Sequence, residues 1–222
     1  MMKKTDKLKI IYEDKYLLVV DKPNNLLTVS NEKESENTLF HKVYLYIKRK
    51  NKNQKIFIVH RLDYDTSGLV VFAKSETVKK QLQDNWDQVI RKYMAIVHGN
   101  LETKSGTIKS YLKMTKTQLV YSTNDSKNGK LAITSYKTIL ENKKYSLLDI
   151  DIKTGRKNQI RVHLNDLGYP ILGDKKYSSI KDKAKRMYLH AYYLEFTHPI
   201  TNNKLKFELD VPTDFLNTFN KV

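Results

Sequence analysis

The apolar positions of this chain fall in short blocks suited to strands, broken at irregular intervals by stretches with helical spacing. Ile56 to Val59, Leu69 to Ala73 and Tyr93 to Val97 read as strands. Ile133 to Leu140 and Tyr145 to Ile152 alternate well enough to pair as a hairpin across Glu141 to Lys144. Tyr188 to Phe196 and Leu205 to Val211 are two further strands. Thr38 to Lys50 sets Leu39, Phe40, Val43, Tyr44 and Ile47 at helical spacing. Ser75 can cap a second helix running to about Asp87. Lys157 to Leu167 reads as a helix after Gly155, and Thr213 to Asn220 as a closing helix capped by Thr213 or Asp214. Asn31 to Glu36 is a polar loop, and Asn124 to Gly129 a turn ending in Asn-Gly. Regular strand–helix alternation is missing, which argues against a doubly wound parallel sheet. The expected class is α+β, with a mixed, mostly antiparallel sheet flanked by helices.

Composition narrows the picture. With 222 residues the chain has enough material for a substantial core. No internal repeat and no Pro-, Gly- or Ser-rich linker interrupts it. Residues 1–222 are therefore expected to form a single domain. The absence of Cys excludes a disulfide framework and a thiolate metal site, and fits a cytoplasmic location. No apolar run is long enough for a membrane span, and the basic N-terminus Met1–Lys7 lacks the apolar stretch of a signal peptide. The formal net charge is +17, from 41 Lys and Arg against 24 Asp and Glu. Such a surface attracts polyanions, of which nucleic acid is the commonest. A generically Lys-rich composition would give the same number. An anionic membrane would favour a basic amphipathic helix, and the apolar stripe of Thr38 to Lys50 looks committed to a core.

The most informative segment is Val59-His60-Arg61-Leu62-Asp63-Tyr64-Asp65-Thr66-Ser67-Gly68-Leu69-Val70-Val71-Phe72-Ala73. It places a carboxylate on a tight turn at the edge of an apolar strand, where the backbone can hold it in position. Asp63 and Asp65 also suit plain turn-capping roles. The string resembles the H-R-L-D-x-x-T-S-G-L signature of the RluA-type pseudouridine synthases. Other blocks are similar to that family in the same order. They are Ile11 to Pro23, Arg91 to Gly99, Lys153 to His163 (the T-G-R-x-H-Q-I/L-R-V-H block) and Gly168 to Tyr177. Together they cover roughly residues 8 to 212. Three departures stand out. Asn158 replaces the family His, Lys22-Pro23-Asn24-Asn25-Leu26 replaces the K-P-A-G-L turn, and Ser178 follows Tyr177 where the family has Gly. Asn tolerates positive φ, so the second turn is expected to survive without Gly.

The resemblance implies one catalytic domain with a long bent sheet and a central RNA-binding cleft. It leaves no room for the N-terminal S4 domain that many relatives carry. It implies isomerisation of uridine to pseudouridine in structured ribosomal or transfer RNA, with ribosomal RNA favoured, no cofactor and no metal. Asp63 would be the catalytic nucleophile, Tyr93 would contact the uracil, and Arg161 would be the cation that keeps Asp63 ionised. Arg161 also suits a phosphate contact or a solvated helix face, and Tyr93 an ordinary core position. Arg61 would lie beside the target nucleotide, either filling the gap left by a flipped base or holding a phosphate. Arg156 and Lys157 sit at an expected helix start, a place suited to phosphate. Lys22, Lys175 and Lys176 are further phosphate candidates. His60 and His163 read as packing groups, and a monomer is the default expectation.

Two rivals come from other classes. Asp63-Tyr64-Asp65-Thr66-Ser67 also fits the D-x-D-x-[ST] motif of Mg²⁺-dependent phosphatases of the haloacid-dehalogenase type. There the motif follows an unbroken apolar strand, whereas His60-Arg61 intervenes here. The other rival is an inactive RNA-binding module that kept the fold.

Overall fold

Where the sequence runs apolar without alternation, the strands are buried on both faces. The structure, a computed structural model, describes residues 8–32, 34 and 36–219. The basic N-terminus, Lys33 and Ser35 of the polar loop, and Asn220 of the closing helix lie outside the described residues. The chain divides into two compact units, Met1–Val89 with Glu195–Phe207, and Ile90–Leu194 with Glu208–Val222.

In the first unit, strand β2 (Leu17–Lys22) pairs antiparallel with β1 (Lys9–Glu13) on one side and β4 (Ser67–Ala73) on the other. A two-residue strand, β3 (Phe57–Ile58), pairs antiparallel with β4. Leu17 to Val20 and Val70 to Ala73 are fully buried. Helix α1 (Leu39–Lys50) buries Leu39, Val43 and Ile47, and the Thr38 hydroxyl caps it by accepting from the His41 N–H at 3.1 Å. Ser75 caps α2 (Glu76–Asp84) in the same way, through the Val78 N–H at 3.3 Å. This helix stops short of Asp87. Asn85 leaves the helical region, its side chain donates back to the Gln81 carbonyl, and Trp86–Gln88 form a separate 3₁₀ turn.

The second unit holds β5 (Ile90–His98), β6 (Ser105–Met114), β7 (Val120–Thr123), β8 (Lys130–Glu141) and β9 (Tyr145–Ile152). They lie in the order β5-β9-β8-β6-β7, every neighbour antiparallel. The β8–β9 hairpin is as expected from alternation. Strands β6 and β7 were not legible, because β6 carries Lys, Ser and Thr on a largely exposed face. Helix α3 (Gln159–Asp166) packs Ile160 and Leu164 against Ala95, Val97 and Ile150. Helix α4 (Thr213–Asn217) brings Phe215 into a second cluster with Met94, Ile96 and Leu147. Alternate residues of β5 thus feed different cores. Pro212 occupies the N-cap of α4 and no side chain caps it, so Thr213 and Asp214 are not the cap. Phe215, fully buried, holds this short helix instead. Strands β10 (Leu189–Thr197) and β11 (Lys204–Glu208) contribute residues to both units. The α+β class is as expected.

Candidate active site

Asp63 lies on the turn between β3 and β4, closed by the Thr66 N–H donating to the Asp63 carbonyl at 3.1 Å. Thr66, Ser67 and Gly68 are buried and Asp63 is half-buried. Gly68, at φ +117°, pairs with Lys22 in register, and this backbone geometry explains the glycine. On the preceding side the Thr28 hydroxyl donates to the Leu62 carbonyl at 2.7 Å and accepts from the Leu62 N–H at 3.2 Å. On the following side, the Lys22 ammonium donates to the carbonyls of Leu26 (2.7 Å), Pro23 (3.0 Å) and Tyr64 (3.2 Å). The main chain on either side of Asp63 is therefore gripped.

This corrects one expectation. Lys22 has no exposed surface to offer a phosphate, because its side chain is buried and turned onto main-chain carbonyls. The Asn25 turn is as expected, with φ at 55°. His60 accepts from the Val71 N–H at 3.1 Å and packs its ring 4.6 Å from Trp86, a structural role. Arg61 is exposed.

The other candidate residues belong to the second unit. Tyr93 is partly buried on β5, opposite Ile150, and packs against the cluster that includes Ala95 and Ile160. Arg161, on α3, makes a bidentate pair with Asp174 through Nε (2.8 Å) and Nη2 (2.7 Å). Both side chains are almost completely buried, 6% and 1% exposed. Asp174 also accepts from the N–H groups of Lys176 and Tyr177, and the Tyr177 ring lies 5.1 Å from the guanidinium. Fork-to-fork pairing of this kind fixes orientation as well as charge.

At the first position of α3, Gln159 binds the Thr154–Arg156 turn to β8. Its amide donates to the Ile133 carbonyl and the Thr134 hydroxyl, and its oxygen accepts from Thr154 and the Arg156 N–H. A Cβ on Gly155 would stand 2.9 Å from Arg91 Nη1, so the tip of that arginine would have to shift to admit a side chain there. Asn158 adopts the left-handed conformation at φ 54° and accepts from the Tyr177 hydroxyl at 3.1 Å. Asn in the family His position thus does bond locally. The helix begins at Gln159, so Arg156 and Lys157 precede its first turn, both exposed. The Arg156 Nε donates to the Leu131 carbonyl, and the Lys157 ammonium to Gln118 Oε1 at 2.7 Å. Lys175 is exposed beside Asp174. His163 is buried between Thr134 Oγ1 (2.9 Å) and Ser110 Oγ (3.0 Å), and burial pushes its pKa down.

The structure therefore groups Arg156, Lys157, Arg161 and Lys175 around the start of α3. Asp174, Gln159 and Thr28 were missed as positioning groups. The first two stand in the matched blocks, but the bonds of Gln159 to β8 and of Asp174 to Arg161 reach beyond their own blocks.

The sequence profile of the RNA pseudouridylate synthase family matches residues 16–166. The chain belongs to this family. It is an RNA pseudouridine synthase, an isomerase. It is 35% identical over 214 residues to the "Uncharacterized RNA pseudouridine synthase YhcT" of Bacillus subtilis (strain 168), covering 95% of this chain and 70% of that one. It is 36% identical over 212 residues to the "Ribosomal large subunit pseudouridine synthase C" of Rickettsia typhi, covering 93% and 69%. Among solved structures, "Human RNA Pseudouridylate Synthase Domain Containing 4" superposes with a TM-score of 0.79 over 96% of this chain and 92% of that one, at 24% identity. That likeness is one of fold. Family membership replaces the phosphatase reading. Among the described residues, no helix is long and apolar enough to cross a membrane.

Proposed function

We propose that the enzyme isomerises specific uridines of structured ribosomal RNA in the cytoplasm, working as a monomeric single catalytic domain with Asp63 as the nucleophile. The observation that carries the Asp63 assignment is the grip on its turn. The Leu62 carbonyl and N–H on one flank are held by Thr28 and the Tyr64 carbonyl on the other by Lys22, which spares the carboxylate from reorganising when it acts. Ribosomal RNA is favoured over transfer RNA by the names of the Rickettsia relative and others like it.

In the proposed reaction the uridine C1′–N1 bond breaks, the uracil turns, C5 bonds to C1′, and the C5 proton is lost while N1 gains one. Asp63 either attacks C1′ or takes the C2′ proton to give a glycal. The target must leave its stack first, at a cost of a few kcal/mol, and Arg61 is assigned to the gap or to a neighbouring phosphate. Tyr93 offers the detached uracil a flat face and a polar tip. Arg161 is assigned as the cation that favours the ionised nucleophile. In support, its guanidinium is held in one orientation by Asp174 and Tyr177. Arg156, Lys157 and Lys175 are assigned to phosphates.

The test is mass-spectrometric detection of pseudouridine in ribosomal RNA transcripts. Wild-type protein should produce it, and Asp63→Asn should produce none. Full activity in Asp63→Asn would remove the nucleophile assignment. Product on transfer RNA alone would remove the ribosomal one.

A further inference from the structure

A second basic site lies in the same unit as Arg156 and Lys157, at the other end of β9. The β8–β9 turn, the segment preceding β10 and helix α4 enclose an open pocket of about 740 Å³. Lys143, Lys144, Lys183 and Lys185 line it, and all four are exposed. Among the described residues their ammonium groups make no ion pair or hydrogen bond, unlike those of Lys104, Lys157 and Lys176.

The acidic groups of the pocket are engaged elsewhere. Asp182 accepts from the Gly173 and Ala184 N–H groups and pairs with His98 at 3.0 Å. Burial would raise its pKa, but those bonds hold it below the ordinary value, so it stays an anion committed to its neighbours. Asp214 faces Arg186 at 3.7 Å. Asn142 is also engaged, accepting from the Lys144 and Tyr145 N–H groups and donating to the Thr218 carbonyl. The pocket thus presents four unmatched positive charges and little that could read a base edge. Charge without a donor–acceptor pattern suits the phosphodiester backbone, which positions a nucleic acid and carries no sequence information.

Its distance from the motif cluster gives it a separate use. Strand β9 runs from Tyr145, at the pocket, to Ile152, just before the Thr154–Arg156 turn. Seven residue steps at ~3.4 Å put the two basic sites about 24 Å apart. We propose that the Lys143–Lys144–Lys183–Lys185 pocket is an accessory anchor for the RNA backbone. It holds substrate at a point remote from the reacting uridine and favours long, structured RNA over short oligonucleotides. This inference rests on RNA being the substrate, and not on which residue is the nucleophile.

The experiment compares two variants of the full chain. One carries Lys143→Gln, Lys144→Gln, Lys183→Gln and Lys185→Gln. The other carries Lys52→Gln, Lys80→Gln, Lys109→Gln and Lys137→Gln, the same charge change at exposed positions elsewhere. Binding of a fluorescein-labelled ribosomal RNA transcript is followed by anisotropy across a salt series. Each lost phosphate contact flattens the slope of log K against log[salt] by ~0.7, so the pocket variant should be flatter by about 3. The control should keep the wild-type slope. Isomerisation of the same transcript by the pocket variant should show a raised KM with kcat kept. Equal slopes in the two variants would overturn the anchor. So would binding of uridine monophosphate or polyglutamate at the pocket with RNA binding unchanged, because either would make it a nucleotide or acidic-protein site. Failure of the functional reading looks different, since no RNA would yield product while the binding comparison still reports on the pocket.

Discussion

Around Asp63 the scaffold works through the main chain. Thr28 and Lys22 take hold of the carbonyls of Leu62 and Tyr64, and the carboxylate itself stays half-buried. Around Arg161 it works through side chains, with a guanidinium almost out of water, paired to Asp174 and faced by Tyr177. On the proposed assignments the contrast matches what each residue would have to present. A group that acts by reaching a substrate is best fixed from behind, leaving its oxygens uncovered. A group that supplies a field is best fixed by bonds to the charged atoms themselves, because a buried charge without a partner is costly.

Perturbations of decreasing size test that contrast. Asp174→Ala should have the largest effect, about 3–5 kcal/mol of lost stability in denaturant unfolding, because it strands a buried guanidinium. A loss below about 1 kcal/mol would mean that Arg161 finds water or another partner easily. Lys22→Met keeps the bulk but abandons three carbonyls, and should cost about 2–4 kcal/mol. It should also lower kcat through the Asp63 turn, whereas a variant affected only in stability would keep its kcat at a permissive temperature. Thr28→Val removes two hydrogen bonds at nearly constant shape, for about 1–2 kcal/mol, with a smaller fall in kcat.

Mild acid is the gentlest perturbation and separates the two regions. The folded pKa of His163 lies below its ordinary 6.5, so the unfolded chain binds more protons and stability falls as pH drops through 6.5. Glu13 behaves differently. Burial alone would raise its pKa, yet hydrogen bonds from Lys50, Tyr46 and Lys74 bring it down to about 2 from 4.5. Its contribution is complete above 4.5 and is lost only as pH falls from there toward about 2. Hydrogen exchange should therefore show protection around α3 weakening before that of β1 and β2. The reverse order would contradict both assignments.

Legibility in the sequence followed how local the cause was. The Asp63 turn, the Ser75 cap and the β8–β9 hairpin rest on residues a few positions apart, and pattern reasoning found them. Strand β6 escaped because most of it is exposed or half-buried, which leaves a polar composition that resembles a loop. The cap of α4 was misread because Phe215, through its buried ring, does the anchoring expected of a polar cap. Lys22 was misread because a lysine before a proline turn looks like a surface cation until the carbonyls that surround it are known.

What this sequence determined by itself was the family and the motif proposed to carry its chemistry, together with the α+β pattern and the excess of positive charge. Each is written in residue types and short spacings. The tertiary structure alone decided which charges are spent inside the protein and which remain for RNA. Lys22 and Arg161 look no different in sequence from Lys143 or Arg156. Burial and the partners brought in from distant segments set them apart.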